Sequence, residues 1–157
     1  MLEGENLKLR LLQLKDLDFL YYVENNKSYF KFSSHPQYYS KEDLKEFISN
    51  STDDITIYNQ LRFVVDLNNK PIGLIDLFNY NPKRKNAGVG IIILEEFQNQ
   101  NFGSKSLELL IAYAWEKLDL LSLYANIKTS NQNSIKLFEK YGFVKKSQLL
   151  FELNKWN

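Results

Sequence analysis

The stretch Gly103 to Leu118 narrows the possible folds more than any other. Leu107, Leu110, Ile111, Ala114, Trp115 and Leu118 recur at the helical period and form one apolar face. β-rich runs flank it, Val89 to Leu94 before and Leu121 to Ile127 after. A strand, a helix and a second strand in this order imply parallel neighbours joined by a right-handed crossover. Upstream, Leu61 to Leu67, Ile72 to Phe78 and Val89 to Leu94 are separated only by short turns, one of them Asn68-Asn69-Lys70-Pro71. Short turns pair strands antiparallel. The sheet must therefore be mixed, in an α/β chain.

The remaining elements fit around that unit. Leu7 to Leu11 alternates and reads as a strand. Asp16 to Asn25 has helical spacing. Ser40-Lys41-Glu42-Asp43 is a helix start, and Leu44, Phe47 and Ile48 continue its apolar face. Asn133 to Tyr141 is a helix stopped by Gly142. A last strand lies within Lys146 to Leu153. The predicted order is β-α-α-β-β-β-α-β-α-β, in one domain spanning 1–157. The tail after Phe143 leaves room for one strand rather than a terminal pair. A second copy of the chain can complete that edge, so a homodimer is an expectation.

Composition removes several classes of function. The net charge of +1 gives no basic excess for nucleic acid or a membrane surface. No cysteine is present, so disulfides, thiolate metal sites and a cysteine nucleophile are excluded. The single histidine, His35, precedes Pro36 and has no partner for a metal. No metal is expected. No apolar run reaches membrane-spanning length, and Met1 to Arg10 lacks the apolar region of a signal peptide. A cytoplasmic protein is the expectation.

Two segments carry candidate chemistry. Glu95 to Ser104 joins a strand to the amphipathic helix. Unpaired N–H groups at a helix start attract phosphate oxygens. Gly103 admits close approach, and Asn101 tolerates a left-handed backbone. The second segment, Asn131 to Val144, is a polar helix start, a short amphipathic helix, a glycine stop and an apolar re-entry. Asn131 can cap it, and Ile135 and Phe138 would face the core. Residues alone leave open a plain connection for the first segment and a plain structural helix for the second.

Together the two resemble a known family. Asn131 to Val144 is similar to the C-terminal signature of GNAT acetyltransferases, with an Asn, an aliphatic-rich helix and Glu139-Lys140-Tyr141-Gly142-Phe143. Gln98 to Leu107 resembles their CoA-binding motif, with Asn101 where the family prefers its first glycine. Arg62 to Val65, Ile72 to Asp76 and Ala87 to Ile91 look most like the branch of ribosomal-protein N-terminal and spermidine acetyltransferases. The resemblance implies the GNAT fold, a mixed, mostly antiparallel central sheet with splayed central strands and four flanking helices. It implies acetyl-CoA as cosubstrate and an amine acceptor: a peptide N-terminus, a polyamine or an amino sugar. The pantetheine arm would lie along Ile92, Ile93 and Leu94, with an N–H near Ile93 polarising the thioester. The pyrophosphate would sit on the amides of Gln98, Asn99, Gln100, Asn101, Phe102, Gly103 and Ser104. Asn131 and Phe138 would also meet the cofactor.

One departure bears on the chemistry. Many family members carry a proton-donating Tyr where Phe138 stands. Ser134 matches the serine of the ribosomal-protein branch and takes that role, with Tyr141 and water as alternatives. Asp76 is the expected base, an acid on a strand face shared with Ile72, Leu74 and Phe78. Glu24, Glu95 and Glu96 are weaker candidates. Lys83-Arg84-Lys85 is either a solvated loop or a phosphate contact. Acceptor specificity is expected from Asn25 to Asn59, rich in aromatics such as Tyr29, Phe30, Phe32, Tyr38 and Tyr39, with Asp53-Asp54 as an attraction for a cation. The rival reading is a non-catalytic acyl-CoA-binding module on the same fold.

Overall fold

The computed structural model describes residues 2–3, 6–29 and 38–156. The chain starts with β1 (Leu2–Glu3) and β2 (Leu7–Leu11), then α1 (Leu17–Glu24), α2 (Lys41–Ser49) and α3 (Ile55–Tyr58). The meander β3 (Leu61–Leu67), β4 (Lys70–Asn81) and β5 (Asn86–Ile93) follows. The long helix α4 (Phe102–Glu116) leads to β6 (Ser122–Asn126), then α5 (Gln132–Lys140), β7 (Val144–Lys145) and β8 (Leu150–Asn154). His35, Phe30 and Phe32 lie outside the described residues.

The elements form where the sequence signals stand. Ser40 Oγ accepts from Asp43 N at 3.1 Å while Asp43 Oδ2 accepts from Ser40 N at 3.3 Å, a reciprocal cap on α2. Such a cap contributes about 1 kcal/mol. Asn68 and Asn69 both have positive φ, 51° and 70°, the geometry of a tight hairpin turn. Pro71 then sits where the β3–β4 register shifts, a place that needs no ladder N–H.

All strand pairs are antiparallel except β5 with β6, and the spatial order is β1-β2-β3-β4-β5-β6-β8-β7. The parallel contact is short. It joins Asn86, Ala87 and Gly88 to Ser122, Leu123 and Tyr124. From Val89 onward β5 has no partner on that side among the described residues, and the sheet splays open.

Two cores sandwich the sheet. Phe63, Ile75, Leu107, Leu110 and Phe138 belong to the one under α4 and α5. Val64 and Leu74 pack with Leu20 and Leu44 of α1 and α2 on the other face. Gly73 keeps β4 and β5 in contact. A Cβ there would lie 2.4 Å from Ile92 O, and backbone cannot yield as a side-chain tip does. Gly73→Ala is expected to cost about 2–3 kcal/mol, read as a lower urea midpoint with an unchanged m-value.

Three expectations need correction. Among the described residues five α-helices form rather than four, because Asp54 caps an extra turn: its Oδ1 accepts from Thr56 N at 3.0 Å. The terminal strand pair is present, as a hairpin of two and five residues. Arg10 is buried although it lies on the polar side of the alternating β2. It is 5% exposed and bridges two buried acids, Asp16 and Asp66. Ile72 also leaves the Asp76 face at the register shift and joins the core under α4.

Candidate active site

The splay between β5 and β6 opens into a cleft of about 510 Å³ bounded by the starts of α4 and α5. Ile92, Ile93, Gln98, Asn99, Asn101, Gly103, Ser104, Asn131 and Ser134 all line it. Two sequence segments about 30 residues apart thus meet at one opening, because the α4 crossover returns the chain beside β5.

The β5 wall presents backbone donors. Leu94 N bonds Ile72 O of β4 at 2.8 Å. Successive N–H groups of a strand point to opposite sides, so the Ile93 N–H points away from β4 into the gap. The Ile93 carbonyl on that side is taken by Gln98 Nε2 at 2.9 Å. At the next wall, Asn101 is left-handed, with φ 69°, and its side chain caps nothing. The first-turn N–H groups of α4 therefore have no side-chain acceptor from their own cap. With the helix dipole they form an anion site. An acyl-CoA fits both walls: an extended amide arm against the β5 edge and phosphate oxygens at the α4 start.

The third wall is α5. Asn131 Oδ1 accepts from Ser134 N at 3.4 Å, so the asparagine caps the helix and sets its first turn against the cleft. Ser134 is half-buried there, and among the described residues its hydroxyl makes no hydrogen bond. Tyr141 is committed elsewhere. Its hydroxyl pairs with Ser104 Oγ at 2.6 Å, and Lys140 Nζ donates to the same oxygen at 2.9 Å.

Five predicted residues fall outside the cleft lining. Phe138 is 3% exposed and packs edge-on to Phe143 at 4.9 Å between ring centroids, so it belongs to the core. Leu94 is buried in the core under α1 and α2. Phe102 stacks edge-on with Phe97. The Gln100 side chain turns back to Glu96 O. Asp76 faces the opposite side of the sheet, where Arg62 Nε donates to its Oδ1 at 2.9 Å. Arg62 also meets Glu24 at 2.5 Å. Burial pushes the Asp76 carboxyl above its ordinary range, and Arg62 only partly offsets this. Asp76 stands directly opposite Gly90, where the splay begins.

The lining also includes residues that are not candidates for the cofactor in the sequence, and two, Tyr29 and Glu95, that are named there for other roles. Ile91 and Leu137 extend two predicted walls by one face. Tyr29 closes one end, its hydroxyl accepting from Glu95 N at 2.8 Å. Glu95 lines the cleft, while Lys83, Arg84 and Lys85 are exposed at the β4–β5 turn and do not. Among the described residues no cluster of acids and histidine could hold a metal ion, and no helix is long and apolar enough to cross a membrane.

Residues 6–144 match the family model of an acetyltransferase (GNAT) domain. The chain belongs to the GNAT acetyltransferases. It is an acetyl-CoA-dependent N-acyltransferase. The spermidine N(1)-acetyltransferase of Escherichia coli (strain K12) is 26% identical over 152 residues, 97% of this chain and 80% of that protein. The crystal structure of spermidine N-acetyltransferase from Vibrio cholerae in complex with CoA and spermine superposes with a TM-score of 0.85 at 25% identity, covering 98% of both chains. A dodecameric structure of the Vibrio cholerae enzyme superposes at 0.80, with 25% identity over 97% of this chain and 95% of that one.

Proposed function

We propose that this acetyltransferase moves the acetyl group to a terminal amine of a linear polyamine. The reading is supported by the Asp76 carboxylate, which lies opposite Gly90 of β5 with its Oδ2 facing the open space over that glycine. Spermine occupies a structural relative together with CoA, and a spermidine acetyltransferase is among the sequence relatives.

The residues divide the work. The amides of Gln98 to Ser104 hold the phosphates, with Asn131 setting the α5 start opposite them. The Ile93 N–H donates to the carbonyl oxygen as negative charge develops on it. Asp76, its carboxyl raised by burial, takes the proton from the attacking nitrogen. The new C–N bond forms as the C–S bond breaks, and Ser134 Oγ–H donates to the leaving sulfur. No enzyme-bound acyl group is needed, which suits a chain without cysteine.

Acetyl-CoA is expected to raise Tm by several degrees, since it binds only the folded state. Spermidine or spermine is then expected to release CoA thiol, while peptides and amino sugars do not. Thiol release with amino sugars alone would reject the polyamine reading. Binding without release to any amine would favour the non-catalytic module. The dodecameric relative supports a multimer for this chain. A dimer through the β7 edge, where Val144 is 56% exposed, is the finer version.

A further inference from the structure

We propose that the polyamine lies across the open face of the sheet on an aromatic platform, held between Asp76 at the splay and Glu152 on β8. The inference rests on the polyamine reading and adds where the distal ammonium goes. One row of residues crosses four strands. Phe78 stands opposite Gly88, Gly88 opposite Tyr124, and Tyr124 opposite Glu152. A Cβ on Gly88 would lie 2.4 Å from the Phe78 ring. The ring therefore rests directly on bare backbone, which only glycine permits. It meets Tyr124 edge-on, with centroids 6.0 Å apart and planes at 83°.

The next row pairs Asp76 with Gly90. A Cβ on Gly90 would be 3.8 Å from Phe78 and 4.0 Å from Asp76 Oδ2. The space over Gly90 is thus open and bounded by a ring and by the carboxylate oxygen that Arg62 Nε does not use. Asp76, Phe78, Gly90, Tyr124 and Glu152 are all half-buried, so the platform reaches solvent. A carboxylate beside an aromatic ring is a setting for an ammonium, attracted by the charge and by the ring quadrupole.

Charge balance points the same way. Arg62 is shared by Glu24 and Asp76, which leaves one negative charge in excess. Glu24 Oε1 is buried and has Arg62 Nη1, at 2.5 Å, as its ion-pair partner among the described residues. A cation at Asp76 offsets that excess. At the far end, Glu152 lines a second depression of about 510 Å³ with Tyr124, Asn86 and Arg84. Among the described residues neither Glu152 nor Arg84 is in an ion pair. At about 4.8 Å per strand, the two carboxylates lie on the order of 15 Å apart. An extended triamine or tetraamine can approach both ends, and a short diamine cannot.

The test is initial-rate kinetics with acetyl-CoA and spermine, spermidine or diaminopropane. Glu152→Gln is expected to raise KM for spermine about tenfold, with kcat changed less than twofold. The rise is confined to amines long enough to reach residue 152. Glu152→Lys is expected to raise it further, and Phe78→Leu to raise KM for every amine. An unchanged spermine KM in Glu152→Gln and Glu152→Lys, or an equal rise for diaminopropane, would overturn the inference and leave the polyamine reading standing. No turnover of any polyamine by the wild-type enzyme overturns both.

Discussion

Arg10→Met is expected to destabilise the protein by about 3–5 kcal/mol, because it strands two buried carboxylates. Arg10 Nη1 and Nη2 donate to Asp16 at 2.8 and 2.9 Å, and Nε donates to Asp66 at 2.6 Å. The acids also accept backbone N–H groups, Gln13 N to Asp16 and Asn69 N to Asp66, both at 2.8 Å. The trio therefore joins β2, the start of α1 and the β3–β4 turn. A domain's whole stability is about 5–15 kcal/mol, so the variant should lose a large fraction of it and unfold at a much lower urea concentration. Arg10→Lys should recover little, since an ammonium cannot match the fork. The measurement is urea unfolding. A midpoint within experimental error of wild type would show that the network contributes nothing.

The same trio predicts an acid sensitivity with a definite sign. Burial raises the Asp16 carboxyl, but hydrogen bonds from Arg10 and Gln13 N–H outweigh it and leave it below its ordinary range. A carboxyl whose folded value is depressed contributes stability above its unfolded value. That contribution disappears as pH falls through the folded value.

Arg10 also shows where sequence reading stops. Alternation in Leu7 to Leu11 assigns a polar face to Lys8 and Arg10, and solvent is the simplest destination. The actual one depends on Asp16 and Asp66, six and 56 residues away. No local period encodes such a partner. Asp76 is similar. Its oddity on an apolar strand face was visible, but its pairing with Arg62 and Glu24 comes from strand register and helix docking. By contrast, the α4 period, the Ser40 cap and the turn at Asn68 are local, and each is where the sequence places it. The short α3 is intermediate. Ile55-Thr56-Ile57 favours a strand by composition, while the Asp54 cap and the positive φ of Asn59, 56°, confine it to one turn.

Phe138 marks the same limit within the site. Helical spacing places Phe138 toward the core, where the ring packs on Phe143, while the resemblance implies a cofactor contact that the cleft lining does not include. Phe138 has no proton to give whichever way its ring points, so the proton for the leaving thiolate must come from elsewhere. Tyr141 is occupied by Ser104, and among the described residues Ser134 keeps an uncommitted hydroxyl on the cleft wall. Ser134→Ala is therefore expected to lower kcat about 100-fold, the lower end of what a positioned proton donor contributes. The Kd for acetyl-CoA should stay within twofold, because the serine acts only as charge develops on sulfur. Helix capping should survive, since Asn131 accepts from the residue 134 backbone N–H rather than from its hydroxyl. Ser134→Cys, whose thiol can still donate, should recover part of the rate. Stopped-flow thiol release beside acetyl-CoA titration separates the two constants. A loss of affinity equal to the loss of turnover would make Ser134 a binding residue, and unchanged turnover would assign the proton to water.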